Sequence, residues 1–209
     1  FVYQQGDKGF QAATGWTVPS DAVFSEQQGG GRHADLGVRI ADVNGDGYPD
    51  LVRNHAYHGG PATKKIFLHD RNKSWVESTS WTLPPNLNQF LDTAGEIDRE
   101  FGIRLADVNG DGWIDFVRHF QQDPPANGGL IWNEVYLNNH ANGWTYQPNL
   151  QLPEAGNMPI TWVLGQPVYS YHEFTGNMLE DVNGDGYVDY VKSKEDGWGT
   201  PTHKTFINT

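Results

Sequence analysis

The sequence contains no cysteine, and its basic residues are few. Without thiols the chain has no disulfides, thiolate zinc sites, iron–sulfur clusters or cysteine nucleophiles. The 14 Lys and Arg residues stand against 26 Asp and Glu, which gives a formal net charge of −12. Nucleic acids and anionic membranes attract basic surfaces, so we expect no nucleic-acid partner, and divalent cations fit the charge better.

Long apolar runs and helical periodicity are also missing. No apolar run approaches the roughly 18 residues that a membrane-spanning helix needs, so we expect no membrane insertion. Apolar residues instead alternate with polar ones in short runs, which are rich in β-branched and aromatic side chains. Many of the 25 glycines and 12 prolines separate these runs. The pattern is typical of strands and predicts an all-β fold.

One segment occurs three times without a gap. A stretch of alternating apolar and polar residues precedes each copy, and a second such stretch follows it after an insertion. In the first two copies a Trp then begins a further stretch. This order predicts units of four antiparallel strands, which is typical of β-propeller blades. The copies are ADVNGDGYPDLVR at 41–53, ADVNGDGWIDFVR at 106–118 and EDVNGDGYVDYVK at 180–192.

The register of the repeat predicts an incomplete propeller of about three blades and part of a preceding one. Closed propellers need at least about four blades, and unpaired strand edges tend to pair with other strands. We therefore expect further blades as partners, either from a longer chain or from other copies in a homo-oligomer or fibre. The predicted parts are 1–34 (last strands of a preceding blade plus linker), 35–99 (first blade and linker), 100–171 (second blade and linker) and 172–209 (third blade, lacking its last strand).

Each copy contains an acidic loop that is suited to a hard cation. Numbered from its first Asp, the loop has oxygen-bearing side chains at positions 1, 3, 5 and 9 and a Gly at position 6. Such spacing lets a short loop wrap a cation, to which position 7 adds its backbone carbonyl. Three carboxylates in an all-oxygen set favour Ca²⁺ over the smaller Mg²⁺. The predicted ligands are Asp42, Asn44, Asp46, Tyr48 and Asp50; Asp107, Asn109, Asp111, Trp113 and Asp115; and Asp181, Asn183, Asp185, Tyr187 and Asp189.

The loops also admit two other interpretations. An EF-hand needs a Glu at position 12, where this sequence has Arg53, Arg118 and Lys192, and its loop is flanked by helices. Asn-Gly and Asp-Gly also favour a turn that binds no metal. Three aspartates crowded into one short loop would repel one another without a counter-ion, however, and the crowding occurs three times. We therefore predict up to three structural Ca²⁺ ions.

The complete D-x-N-x-D-G-x-x-D loops resemble those of the FG-GAP/VCBS repeat family, the calcium-loop blades of integrin-α-type β-propellers. Phe101-Gly102 is a literal FG, whereas Leu36-Gly37 and Thr175-Gly176 depart from it, and no GAP triplet follows. A second likeness is to VCBS segments of bacterial toxin-complex and RHS-type proteins. The resemblance implies a calcium-stiffened, extracellular or secreted scaffold that serves in adhesion, sugar binding or assembly.

Catalytic motifs are not found, so we do not expect an enzyme. The clustered carboxylates Glu96, Asp98 and Glu100 are interpreted as surface groups, and no serine motif suggests a triad. The pair His55-x-x-His58 is interpreted as part of a solvated glycine-rich loop rather than as two metal ligands. Asn72 begins an acceptor sequon, which matters only in a glycosylating secretory route.

The tryptophans divide into two groups. Trp75, Trp81 and Trp144 occupy repeat positions, which predicts a place in the blade core. Trp132, Trp162 and Trp198 fall outside the shared pattern. Exposed indoles stack on sugar rings, so these three are the candidates for a glycan or protein contact. They carry the alternative hypothesis, a lectin-like propeller that binds carbohydrate.

Overall fold

A computed structural model gives the fold. Within the residues that it describes, the chain forms strands and turns and no helix, which confirms the all-β prediction. No helix of the described residues is therefore long and apolar enough to cross a bilayer. The described residues are 2–3, 10–11, 13–28, 32–57, 62–85, 87, 91–94, 97–100, 102–121, 131–153, 161–163, 166–168, 177–195 and 201–209.

The strands follow one another with short connections, as the alternating pattern predicts. In chain order they are β1 (Val2–Tyr3), β2 (Phe10–Gln11), β3 (Ser25–Gln28), β4 (Arg32–Asp35), β5 (Val38–Ala41), β6 (Asp50–Tyr57), β7 (Thr63–His69), β8 (Trp75–Glu77), β9 (Leu91–Ala94), β10 (Ile97–Glu100), β11 (Ile103–Ala106), β12 (Asp115–Gln121), β13 (Ile131–Asn138), β14 (Trp144–Tyr146), β15 (Thr161–Val163), β16 (Gln166–Val168), β17 (Asn177–Glu180), β18 (Asp189–Glu195) and β19 (Pro201–Phe206).

Three antiparallel meanders correspond to the three sequence repeats. β5 to β8 form the first unit, β11 to β14 the second, and β17 to β19 the third. In each unit the acidic loop joins the first two strands. These unclosed sheets agree with the predicted incomplete propeller. The boundaries predicted for the four parts of the chain remain a prediction.

A short hairpin precedes each unit, and the sequence did not predict it. β3 pairs with β4, β9 with β10, and β15 with β16. β9 also pairs in parallel with the end of β6, so the first sheet has six strands. The linker predicted at the end of part 35–99 therefore contains two strands, β9 and β10. These strands are too short and polar to show alternation.

The predicted place of His55 in a solvated loop is also wrong. The residue lies on β6 and is 5% exposed, so it belongs to the interior of a strand and not to a solvated loop. β6 continues past the predicted strand because it pairs with both β7 and β9. His58 lies outside the described residues.

The sheet of the first unit packs on both faces, because successive side chains of a strand point in opposite directions. In the first unit, Leu51 and Phe67 pack with Val38 and Ala22 on one face. The opposite face packs against the second unit in one buried cluster. That cluster contains Val43, Val52 and Ile66 of the first unit, Trp81, Leu83 and Leu87 of the linker, and Ile103, Phe116 and Tyr136 of the second unit.

The linkers that precede the hairpins share a Trp-Thr-x-Pro sequence at 16–19 and 81–84. The Thr17 N–H donates to the Lys73 carbonyl (3.0 Å), and the Thr82 N–H donates to the Asn142 carbonyl (3.1 Å). Each linker therefore lies along the turn before the last strand of the unit that follows it. This repeat of the linkers lies outside the acidic segment that occurs three times, so the acidic loops alone do not reveal it.

The repeat tryptophans lie in or against the cores, as predicted. Trp81 is 8% exposed and meets Trp144 edge to face, with ring centroids 5.5 Å apart. Trp144 also packs edge to face on Phe116, at 4.6 Å. Trp75 packs against the cluster on the other face of the first unit. The indole N–H groups of Trp75 and Trp144 donate to the carbonyls of Pro49 and Ile114 in the acidic loops.

The cluster between the first two units predicts a large effect of truncation. Phe116→Ala removes a fully buried ring and leaves a cavity, so we expect the free energy of unfolding to fall by about 3–5 kcal/mol. Phe24→Ala is the matched control, because Phe24 is 42% exposed and should cost well under half as much. Urea unfolding of both variants tests this. Equal losses would contradict the assigned core.

Candidate metal loops

Two glycines shape each acidic loop. The residues at positions 4 and 6 have positive φ in all three copies, a conformation that strains any residue with a Cβ. The loop therefore reverses direction tightly enough for its side chains to reach its own backbone. The φ values are 68° and 84° at Gly45 and Gly47, 73° and 86° at Gly110 and Gly112, and 79° and 92° at Gly184 and Gly186.

The side chains at positions 1, 3 and 5 accept hydrogen bonds from the loop backbone. Asp42 accepts the N–H groups of Asp46 (3.1 Å) and Gly47 (2.7 Å), and Asp46 accepts that of Tyr48 (2.9 Å). Asn44 also accepts the Asp46 N–H. The other two loops repeat these bonds at positions 1, 3 and 5. The three copies thus share one conformation as well as one sequence.

The position 9 carboxylate is fully buried and joins the loop to the third strand. In the first unit, one oxygen of Asp50 accepts the Val43 N–H (3.1 Å) and the other accepts the His69 N–H (2.8 Å). Both bonds recur in the other units at Asp115, with Val108 (3.0 Å) and Asn138 (2.8 Å), and at Asp189, with Val182 (3.1 Å) and Asn208 (2.9 Å).

Burial makes two of these carboxyls weaker acids than an exposed aspartate. It raises the pKa of Asp50 to about 6, and the charges of Asp46 and Asp42 add to the effect, although the two accepted N–H bonds oppose it. The pKa of Asp115 is also raised to about 6 by burial, with Asp111 and Asp107 as the added charges. Each of these two carboxyls therefore ionises less readily than an exposed aspartate does.

A basic side chain reaches the position 5 carboxylate in two units. Arg71 donates through Nε (3.2 Å) and Nη2 (3.1 Å) to Asp46, and the His140 ring lies 2.7 Å from Asp111. Both basic residues have positive φ in the turn before the last strand. Against the opposing effect of burial, the Tyr48 N–H and Arg71 hold the pKa of Asp46 below its usual value. No sequence signal marked these partners, which lie more than 20 residues from the loops.

The donor chemistry of the loops suits calcium, but their geometry is that of hydrogen-bonded turns. Each loop offers three carboxylates and an amide oxygen, the all-oxygen set that Ca²⁺ takes. Among the described residues, however, no three Asp, Glu or His side chains are arranged to hold a metal ion. The carboxylates point to N–H groups and basic partners instead. Each carboxylate oxygen can still accept a second interaction, so cation binding requires rotation of side chains and not refolding of the loop.

The loops also contact one another along the chain. The Trp113 ring at position 7 of the second loop covers Gly45 of the first, where a Cβ would lie 2.9 Å from ring carbons. The Tyr187 ring covers Gly110 of the second loop in the same way. Trp113 and Tyr187 therefore pack against the preceding loop. Their predicted role, in which the backbone carbonyl is a metal ligand, did not include this contact.

A second contact between units comes from an asparagine at or just after the end of the third strand. The Asn138 amide donates to the carbonyl of Val43 in the first loop (2.9 Å), and the Asn208 amide donates to that of Val108 in the second (2.9 Å). The backbone N–H groups of both asparagines are the ones held by the buried carboxylates. One residue thus joins its own loop to the preceding loop. We call this amide bond and the aromatic contact on glycine the loop joint.

The segment with the first two loops is similar to a known repeat family. The model of the FG-GAP-like repeat family matches residues 42–118, which include the first two loops. The predicted resemblance is confirmed over this segment. The third loop lies outside the match but has the same hydrogen bonds. No curated protein matches the sequence.

A solved structure is partly similar to this chain. It is a chain of the Photorhabdus luminescens Tc holotoxin pore, at 18% sequence identity and a TM-score of 0.48. The alignment covers 84% of this chain but 6% of the toxin chain. The present chain therefore spans a small fraction of that protein.

The tryptophans proposed as ligand contacts are placed only in part. Trp132 lies on β13 opposite Phe120, at the end of the strand far from the acidic loop, and the guanidinium carbon of Arg118 lies 4.2 Å from its ring centre. Arg118 is almost fully buried, so this contact belongs to the unit's interior packing. Trp162 is on β15, but its side chain lies outside the described residues, as does Trp198. Carbohydrate binding remains a prediction.

The raised pKa values predict how stability depends on pH in buffer freed of divalent cations. A folded pKa of about 6 lies above the usual value of about 3.9, so the folded state binds more protons between these limits. We expect the free energy of unfolding to rise by roughly 1–3 kcal/mol as pH falls from 7 to 5. Urea unfolding at each pH, compared with the Asp50→Asn/Asp115→Asn double variant, measures this rise.

The double variant should lack most of the rise, since its amides do not titrate. Below about pH 4 the trend should reverse, because Asp46, Asp111 and Asp181 have lowered pKa values and lose favourable interactions on protonation. A wild-type stability that falls steadily from pH 7 to 5 would contradict the burial of these carboxyls.

The loop joint between FG-GAP-like units predicts unequal effects of one substitution at equivalent glycines. Gly45→Ala and Gly110→Ala place a methyl group against Trp113 and Tyr187, whereas no described atom lies within 4 Å of the same point at Gly184. All three glycines have φ between 68° and 79°, so backbone strain is matched. We expect the first two variants to lose about 1–3 kcal/mol more stability than Gly184→Ala. Equal losses in urea unfolding would show that the joint adds nothing.

Proposed function

We propose that this chain is a calcium-binding β-propeller module with a structural, adhesive or self-assembling scaffold role. The proposal rests on the confirmed FG-GAP-like segment and on the position of its loops. It assigns no catalytic role to the described residues. Because millimolar calcium is available outside cells, an extracellular or secreted setting fits such a module best.

The loop joint is the observation that carries this proposal. The first and second loops each supply the glycine that receives the next unit's aromatic ring and the carbonyl that receives the next unit's amide. The acidic side chains of the same loop fix the conformation of that glycine and carbonyl. Any ion that stabilises the loop therefore also stabilises the contact between neighbouring units.

Calcium is the proposed ion because of the loop's charge and donor atoms. Each loop concentrates three carboxylates, and filling all three loops with divalent ions would change the formal charge from −12 to −6. A cation would remove the repulsion that Asp46 and Asp42 exert on buried Asp50. When bound, Ca²⁺ supplies charge neutralisation and flexible coordination by oxygen, which Mg²⁺ does not provide in so short a loop.

Binding would have to compete with the basic partners. Asp46 would turn from Arg71, and Asp111 from His140, so that their carboxylates face those of positions 1 and 9. Both basic side chains are more than 45% exposed and can swing into solvent at small cost. The proposed ligands are thus available without disturbing the buried strands.

Calcium titration tests the proposed function. Extracellular calcium modules bind with dissociation constants of about 0.1–1 mM, so about 10 mM Ca²⁺ should raise the free energy of unfolding by roughly 1.4–2.7 kcal/mol per filled loop. Terbium luminescence offers a second readout, because Tyr48, Trp113 and Tyr187 at position 7 can sensitise a bound lanthanide.

Matched aspartate variants distinguish a ligand from a turn residue. Asp107→Ala should remove one loop's share of the calcium stabilisation and of the terbium signal. Asp35→Ala also removes an acceptor of a backbone N–H, that of Gly37 (2.7 Å), but lies outside the loops and should leave calcium binding intact. Unfolding curves that do not change with Ca²⁺ in the wild type would contradict the proposal.

A further inference from the structure

The turn before the last strand directs a basic side chain to the acidic loop in the first two units. Arg71 and His140 each lie two residues after the end of the third strand, and both have positive φ, 60° and 57°. This conformation is uncommon for residues other than glycine. The Nδ1 atom of His69 accepts the Arg71 N–H, and the side-chain oxygen of Asn138 accepts the His140 N–H, both at 2.9 Å. One backbone geometry thus brings a basic residue to two loops.

The same two side chains cover the aromatic ring at position 7 of their loop. The guanidinium carbon of Arg71 lies 5.7 Å from the centre of the Tyr48 ring. The His140 ring stacks on Trp113, with centroids 4.8 Å apart and planes 16° from parallel. Each basic side chain is therefore held between an aromatic ring and the position 5 carboxylate. Because the arrangement recurs with two different residue types, it belongs to the repeat and not to one chance ion pair.

Asp46 divides its two oxygens between the loop backbone and Arg71. Its Oδ1 atom accepts the Tyr48 N–H (2.9 Å), and its Oδ2 atom accepts both Nε (3.2 Å) and Nη2 (3.1 Å) of Arg71. A cation that takes Oδ2 displaces the guanidinium but leaves the backbone bond of the loop intact. The guanidinium does not lose its charge in proteins, so this competition is permanent.

We propose that Arg71 is an internal counter-ion of the first loop, which lowers the loop's calcium affinity by occupying the carboxylate oxygen that the ion needs. The inference rests on the calcium binding proposed above and adds to it a residue from outside the loop. In the metal-free protein, the guanidinium offsets part of the repulsion among Asp42, Asp46 and Asp50. When calcium binds, the Arg71 side chain leaves Asp46 for solvent, to which 62% of it is already exposed.

The backbone of this turn is held by bonds that do not involve Asp46. The Asp70 side chain accepts the N–H groups of Asn72 (2.7 Å) and Ser74 (3.0 Å), and the Asp70 N–H donates to the Ser74 carbonyl (2.9 Å). A substitution of Arg71 therefore removes the charge from the loop and leaves the turn in place. Its effect on calcium binding can then be measured in a folded protein.

Calcium titration of Arg71→Gln, followed by NMR at the amides of Gly45 and Gly47, tests the proposal. We expect the first loop to bind calcium about two- to fivefold more tightly, which is the size of effect that a surface ion pair has. The Gly110 amide reports the second loop in the same sample, where the affinity should change little. Arg71→Lys keeps the charge but loses the forked donor, so its affinity should stay closer to that of the wild type.

Lys73→Gln is the charge-matched control. Lys73 lies in the same turn, is exposed and also has positive φ (71°), but its side chain makes no hydrogen bond or ion pair within the described part of the chain. This variant loses the same charge and should bind calcium in the first loop much as the wild type does. Equal tightening in Arg71→Gln and Lys73→Gln would overturn the proposal, because net charge and not the bond to Asp46 would then set the affinity. Calcium binding that neither variant tightens would also overturn it.

Urea unfolding with and without calcium shows whether Arg71 leaves the loop. If it does, Arg71→Gln lowers the stability of the metal-free protein but not that of the protein in about 10 mM Ca²⁺, where the wild-type side chain is also free of Asp46. An equal loss in both buffers, or no loss in either, would overturn this inference alone. If calcium stabilises neither the wild type nor the variant, the proposed function fails as well.

Discussion

The structure depends on the pair of hydrogen bonds that each buried loop carboxylate accepts. Asp50, Asp115 and Asp189 each hold one N–H of their own loop and one N–H at the end of the third strand. A buried carboxylate is costly unless it is hydrogen-bonded, so these bonds are made at every copy. They fix the distance between the loop and the end of the third strand, and they hold the loop's backbone in place for the next unit.

This constraint explains why the acidic loop recurs with so little change. The glycine at position 4 must be free of a side chain to receive an aromatic ring, and the residue at position 7 must supply that ring to the preceding loop. In the second and third units, an asparagine at or just after the end of the third strand contacts a buried carboxylate through its N–H and a neighbouring loop through its side chain. In these two units the repeat positions therefore serve both their own unit and the one before it.

Much of the fold could be predicted from the sequence because the strands alternate and the loops repeat. The four-strand units, the acidic loops and the buried repeat tryptophans followed from pattern alone. The hairpin of β9 and β10 did not, because its short polar strands depend on pairing with β6. His55 was misplaced for the same reason, since tertiary pairing extends its strand beyond the local signal.

The candidate site was less predictable than the fold. The spacing of Asp42, Asp46 and Asp50 indicated their chemistry but not their directions, which depend on distant N–H groups and on Arg71. The packing of Trp113 on Gly45 joins residues in different units, so no local pattern reveals it. Calcium binding, the scaffold role and the extracellular setting therefore remain proposals, which the charge and the oxygen donors of the loops support.

Hydrogen exchange at the buried loop bonds tests the central claim most directly. The N–H groups of Val43, Val108 and Val182 are each held by a position 9 carboxylate, so their exchange rates measure how often a loop opens. If calcium strengthens the loops and through them the joints, adding about 10 mM Ca²⁺ should slow exchange at these amides and at that of Asn138. Unchanged rates at all four amides would show that the loops hold the array without a metal ion and would contradict the account.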